Sequence, residues 1–96
     1  MEEILIQALQ INGNSINEST KKTELSNTLD YEQSMRLILD IGAQIESLKN
    51  NGIGILFINK KDIFQLSTGG YILSSDILSF NCNETGEIKI DKPFDN

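Results

Sequence analysis

The period of the apolar positions changes along this chain, and each change marks an element. In residues 2–11 (EEILIQALQI), Ile4, Leu5, Ala8 and Leu9 recur at helical spacing. Two acids occupy the first turn, where the helix dipole favours them, and Asn12-Gly13 follows as a stop. A short helix is the expectation. Ile4, Ile6 and Ala8 also alternate, and Asn-Gly is a hairpin turn pair, so a strand is the competing reading. Residues 12–29 (NGNSINESTKKTELSNTL) are polar and nearly aperiodic, which predicts a long mobile loop pinned at Ile16 and Leu25.

The helical period returns over residues 31–50. Asp30 is a good N-cap, and Gln33 three residues later completes a capping-box pattern. Tyr31, Met35, Ile38, Ile41, Ile45 and Leu48 recur every three or four residues, and Leu37 and Leu39 widen the stripe. Asn50-Asn51-Gly52 supplies a left-handed stop. This long helix is expected to be the spine of the core. After Gly52 the pattern shortens to β bursts at 55–58, 62–66 and 71–74, with Ser67-Thr68-Gly69-Gly70 as the turn between the last two. Phe80–Cys82 and Glu87–Ile90 flank a second turn, Asn83-Glu84-Thr85-Gly86, and Pro93 ends the final strand. Helix, loop, long helix and then hairpins is an α+β order, with no internal repeat.

Ninety-six residues, 39% hydrophobic and 23% charged, make one small globular domain, residues 1–96, with a single modest core. A net charge of −6 argues against nucleic acid or an anionic membrane surface as the main target. The chain has no His and one Cys, Cys82. Imidazole base chemistry, His-containing metal sites, a Cys₄ zinc site and an internal disulfide are therefore excluded, and a reducing, cytoplasmic setting is expected. No apolar run approaches the ~20 residues of a membrane span, and the acidic start Met1-Glu2-Glu3 lacks the basic region of a signal peptide.

Few residues invite a catalytic reading. Gly52-Ile53-Gly54 and Gly69-Gly70 lack the Lys-Ser/Thr that follows a phosphate-binding loop, so turn chemistry explains them. Glu84, Glu87, Asp91 and Asp95 read as solvated acids, and Lys60-Lys61 as an exposed pair in a polar turn. Ser67, Ser74 and Ser75 have no histidine base to activate them, and Cys82 reads as a small core residue within a strand.

The order of elements, together with Ile45-Glu46-Ser47-Leu48-Lys49-Asn50-Asn51-Gly52-Ile53, resembles the first half of the C-terminal lobe of the protein-kinase fold. There a long helix ends in a Leu-His-x-x-Gly-Ile cadence that leads into the catalytic loop. The resemblance runs from the first helix to about Ile77. Laid on without gaps, the family's His-Arg-Asp falls on Ile55-Leu56-Phe57, its Lys on Asn59 and its metal-binding Asn on Asp62. Ile63-Phe64 meets the Ile-Leu that follows. The Asp-Phe-Gly magnesium motif falls on Ser75-Asp76-Ile77, and one inserted residue in the 67–70 turn brings Asp76 onto the magnesium Asp.

These departures imply a scaffold without its chemistry. Phosphoryl transfer needs a carboxylate to orient the acceptor hydroxyl, and Phe57 stands at that position. The nucleotide-binding lobe is missing from this sequence, so no cofactor is implied. Asp62 and Asp76 remain as weak cation ligands.

The resemblance extends to the kinase non-catalytic C-lobe domain and to degenerate kinase-like proteins of large DNA viruses. The viral pattern is met by Tyr31-Glu32-Gln33, Gln44, Leu48, Asp62-Ile63 and Pro93-Phe94, and the richness in Ile and Asn suits an AT-rich genome. The expectation is a pseudokinase-like, non-catalytic protein–protein interaction module, a fragment of the full lobe, working with a partner or by self-association in the cytoplasm of an infected host cell. The alternatives are a small viral accessory or structural protein and a weak nucleotide-binding or phosphotransferase remnant.

Overall fold

The computed structural model describes residues 1–82 and 88–90 and has an α+β architecture of two helices and two small antiparallel sheets. The first helix, α1, spans Glu2–Ile11 and buries Leu5, Ala8 and Leu9 against the rest of the molecule. The helical alternative prevails because these three positions share one face, which packs on the second helix and on a strand of the sheet. Asn12 ends the helix, and Gly13, at φ +86°, turns the chain away.

The segment 12–29 is not the structureless loop that its composition predicts. Lys22–Glu24 forms a strand, β1, paired antiparallel with Ile63–Leu66 (β3) in the register Thr23↔Gln65. All three β1 residues are exposed, so no apolar alternation betrays them. Their conformation comes from the ladder and its flanks. The Lys21 amide donates to Ser67 Oγ, the Ser67 amide donates to the Lys21 carbonyl, and the Ser26 amide donates to Gln65 Oε1 at 2.7 Å. Ile16 and Leu25 pack against the core as the pattern anticipates.

The long helix, α2, spans Tyr31–Asn50 with the capping box complete: the Gln33 amide donates to Asp30 Oδ1, and the Asp30 amide donates to Gln33 Oε1. Gly52 follows in the left-handed region at φ +76°. Its buried face is rotated from the apolar stripe. Asp40, Ile41, Gln44 and Leu48 face inward, while Tyr31, Met35, Ile38, Leu39 and Ile45 are exposed. Only part of the expected spine therefore serves the core.

Beyond Gly52 the strands are β2 (Ile53–Ile55), β3, β4 (Tyr71–Leu73), β5 (Ser79–Cys82) and β6 (Ile88–Ile90). They sort into two sheets, ordered β1-β3-β4 and β2-β5-β6. The first burst forms its strand earlier than predicted, at 53–55 rather than 55–58, because its position is set by pairing with β5 (Ile53↔Asn81, Ile55↔Ser79). Gly54 lies directly under Phe80, and a Cβ there would stand 2.2 Å from the ring. The β5–β6 pair forms as expected, whereas its turn, Pro93 and the acids Glu84, Glu87, Asp91 and Asp95 lie outside the described residues.

The core gathers Leu5, Leu9, Ile41, Leu48, Ile63, Leu66, Tyr71, Ile72, Leu73 and Ile77 between α1, α2 and the β3–β4 hairpin. Among the described residues no helix is long and apolar enough to cross a membrane.

Candidate functional site

The stretch around Asn59-Lys60-Lys61-Asp62 runs from β2 into β3 through a 3₁₀ turn at Lys60–Asp62. The two apolar bursts flanking Asn59-Lys60-Lys61-Asp62 are not paired with each other but belong to different sheets. Ile55 is half-buried opposite Ser79, and the Leu56 amide donates to the Leu78 carbonyl. Phe57 turns outward, 53% exposed.

Asp62 folds its carboxylate back on the turn, with Oδ2 accepting from the Asn59 amide at 2.9 Å, and its carbonyl accepts from the Ser74 amide. Asp76 is exposed, its amide donating to Ser74 Oγ. Ser74 thus sits between the two candidate cation ligands, but the Asp62 carboxylate serves the local turn. No group of three or more His, Cys, Asp or Glu among the described residues could hold a metal ion. Lys60 and Lys61 border a shallow cleft of about 460 Å³ with Glu24, Leu25, Ile63 and Phe64. The Lys60 ammonium donates to Asn27 Oδ1. The cleft is open and mixed in charge, without a convergent set of polar groups.

A second constellation is buried and went unpredicted. Asp40 and Gln44, one helical turn apart on α2, are both 0% exposed and close the free edge of β4. Gln44 Nε2 donates to the Tyr71 carbonyl at 2.7 Å and to the Asp40 carbonyl at 3.0 Å, and Gln44 Oε1 accepts from the Leu73 amide at 2.8 Å. Asp40 Oδ2 accepts from the Tyr71 amide and from Arg36 Nε, and Oδ1 accepts from Asn14 Nδ2.

The two side chains thereby stand in for the neighbouring strand that β4 lacks on this side. An open strand edge buried beneath a helix must find donors and acceptors somewhere. Gly70 is glycine for the same reason, since a Cβ there would meet Asn14 Oδ1 at 2.6 Å. No buried side-chain nitrogen or oxygen among the described residues lacks a partner, so the junction is a closed structural network rather than a vacant ligand site. Burial, helped by the carboxylates of Asp30 and Asp40, pushes the Tyr71 phenol above its usual range, against a hydrogen bond with Gln65 that lowers it. The sequence holds part of this signal, since Asp40 and Gln44 share a helical face with Leu37, Ile41 and Leu48, but the apolar residues on the opposite face leave the inward side unchosen.

The third feature is the outward face of α2. Tyr31, Met35, Ile38, Gly42 and Ile45 follow one another in steps of four and three, a 3.5-residue repeat. Ile38 is 61% and Tyr31 79% exposed. Leu39, 59% exposed, flanks them, and its carbonyl accepts from Asn12 Nδ2, which brings the end of α1 with its exposed Ile11 to that side. These residues form an apolar ridge about 20 Å long, at 1.5 Å per helical residue. Nothing lies within 4 Å of a Cβ placed on Gly42, which leaves a shallow notch at the centre of the ridge.

Comparison with protein-family models, with curated proteins and with solved structures finds no match.

Proposed function

We propose that this chain is a non-catalytic protein–protein interaction module, built on a scaffold like the first half of a degenerate protein-kinase C-lobe, with the α2 ridge as its docking surface. The apolar surface that α2 leaves outside carries the reading. A helix on a small domain ordinarily turns its apolar face inward. Here α2 buries only Ile41 and Leu48 of its large apolar residues, beside Asp40 and Gln44, and leaves Tyr31, Met35, Ile38, Leu39 and Ile45 exposed. A contiguous exposed apolar surface of this kind is the mark of an interaction site.

Support for the scaffold is topological. The strands after Gly52 divide between two antiparallel sheets, with β2 and β4 against the long helix, rather than forming one continuous meander. Phe57 is an outward phenyl at the position that the kinase resemblance assigns to a catalytic carboxylate, which favours binding over catalysis.

The test compares the parent chain with Ile38→Glu. The parent should bind an apolar-surface dye such as ANS or associate in sedimentation velocity, and the variant should do neither while keeping the same circular dichroism. A monomeric parent that does not bind the dye would refute the reading. Millimolar ATP with magnesium should leave the melting temperature unchanged, whereas a rise would favour the nucleotide-binding alternative.

A further inference from the structure

Resting on that reading, we propose that the occupant of the α2 ridge is an amphipathic helix from a partner protein, apolar at heptad spacing and basic along its flanks. The 3.5-residue repeat of Tyr31, Met35, Ile38, Gly42 and Ile45 sets the first half of the description. A straight row of this period matches the seam of a second helix packed nearly parallel or antiparallel, whereas a strand or an irregular loop would meet it in only one or two places. The open notch at Gly42 lets a partner side chain approach the helix backbone closely.

Charge sets the second half. In the same repeat, Glu32, Leu39 and Glu46 line one flank of the ridge, and Asp30 stands at its amino-terminal end. On the other side Ser34 is uncharged, and Ile41 and Leu48 turn into the core, so α2 adds no charge there. Arg36, the nearest cation along the middle of the helix, is already paired with Asp40, and Lys49 lies beyond Ile45 at the far end. The rim is therefore acidic, on a chain whose net charge is −6.

A second copy fits this rim poorly. Paired antiparallel along the repeat, two copies would bring Glu32 of one opposite Glu46 of the other, twice by symmetry. Paired parallel, they would stack Lys49 on Lys49. Like charges across a helix seam oppose pairing, and flanking charges of opposite sign select the partner. Basic flanks on a foreign helix satisfy the rim in either direction.

The test uses the full chain and a labelled synthetic peptide of about three heptads, with Leu on the seam and Lys on the flanks. Two controls accompany it: the same composition with the Leu period scrambled, and the same seam with Glu on the flanks. Fluorescence anisotropy should show saturable binding of the first peptide and at least about ten-fold weaker binding of both controls, a gap of one decade in Kd. Ile38→Glu should abolish binding. The charge-inverting pair Glu32→Lys with Glu46→Lys should transfer preference to the Glu-flanked peptide, a change that loss of folding could not produce.

Equal binding of the scrambled peptide would reduce the effect to general charge attraction and overturn the proposal. So would failure of the preference to transfer. Sedimentation velocity separates this failure from that of the underlying reading. If the parent forms a dimer that Ile38→Glu dissolves, the ridge is an interface whose occupant is a second copy, and the basic-helix proposal falls alone. If the parent is a monomer that binds neither dye nor peptide, both fall together.

Discussion

The carboxamide of Gln44 bridges alternate residues of β4, with Nε2 2.7 Å from the Tyr71 carbonyl oxygen and Oε1 2.8 Å from the Leu73 nitrogen. One side chain thus presents a donor and an acceptor with the spacing of a peptide group, and the edge of the sheet ends against a helix instead of another strand. Everything around it follows from that substitution. Asp40 takes the remaining amide of Tyr71, Asn14 and Arg36 hold Asp40, and Gly70 leaves room for Asn14.

Replacing Gln44 should therefore cost more than removing an ordinary side chain. Gln44→Ala strands the Tyr71 carbonyl and the Leu73 amide in the interior, and each buried unsatisfied group costs about 1–3 kcal/mol. The expected loss is about 3 kcal/mol, read from urea denaturation midpoints at constant slope. Gln44→Glu keeps the acceptor for Leu73 but loses the donor for Tyr71, so it should also destabilise. A loss below about 1 kcal/mol for the alanine variant would mean that water replaces the bridge.

Asp40 and Arg36 should prove unequal partners. Arg36 is partly exposed and can be solvated when its partner goes, while Asp40 is fully buried and cannot. Arg36→Ala leaves Asp40 with Asn14 and the Tyr71 amide as donors, so about 1–2 kcal/mol is expected, within the range for a hydrogen bond to a charged group. Asp40→Ala removes the acceptor for three donors and should cost about 3–5 kcal/mol, the range for breaking a buried pair. The double variant should lose less than the sum of the two, which a double-mutant cycle measures directly.

The contact between Gly54 and Phe80 makes a sharper steric test. A methyl group at residue 54 would overlap the ring of Phe80 on the paired strand. Gly54→Ala should destabilise by about 1–3 kcal/mol through strain and displacement of the ring. In a Phe80→Ala background the same substitution should be nearly neutral or favourable, because a strand alanine is less costly than a strand glycine. Equal effects in the two backgrounds would place the origin of the penalty elsewhere.

Tyr71 should make the fold sensitive to alkali. Its folded pKa is raised, chiefly by burial and then by Asp30 and Asp40, while in the unfolded chain a tyrosine ionises near pH 10. Below that pH both states hold the proton and the phenol adds no pH dependence. Above it the unfolded chain releases the proton more readily than the folded one, so stability falls as pH rises. Urea midpoints should drop between about pH 9 and pH 11, and Tyr71→Phe should flatten part of that slope. An identical slope in the variant would assign the alkaline loss to other groups.

Much of the local structure was legible beforehand because its causes are local. The capping box at Asp30 and Gln33, the stops at Asn12-Gly13 and Asn51-Gly52, and the β3–β4 turn at 67–70 each depend on residues within a few positions of one another. β1 was not legible. Lys22, Thr23 and Glu24 are extended because β3 lies beside them, and nothing in their own pattern asks for it. β2 was misplaced for a related reason, since its bounds come from β5.

The candidate site divides in the same way. The exclusion of histidine chemistry and the apolar character of Ile55, Leu56 and Phe57 could be read from residue identity alone. The role of α2 could not. Its apolar residues nearly encircle the helix, so periodicity identifies a helix without choosing which face turns inward. The choice was made by the edge of β4, whose backbone groups require Asp40 and Gln44 beside them. Satisfying that edge turned the apolar ridge from Tyr31 to Ile45 toward solvent. The sequence by itself determined the two helices with their ends and the β3–β4 turn, because caps, turns and periods act over short distances. Only the tertiary structure decided which face of α2 is core and which is surface, because that depends on hydrogen bonds between residues 27 to 31 positions apart.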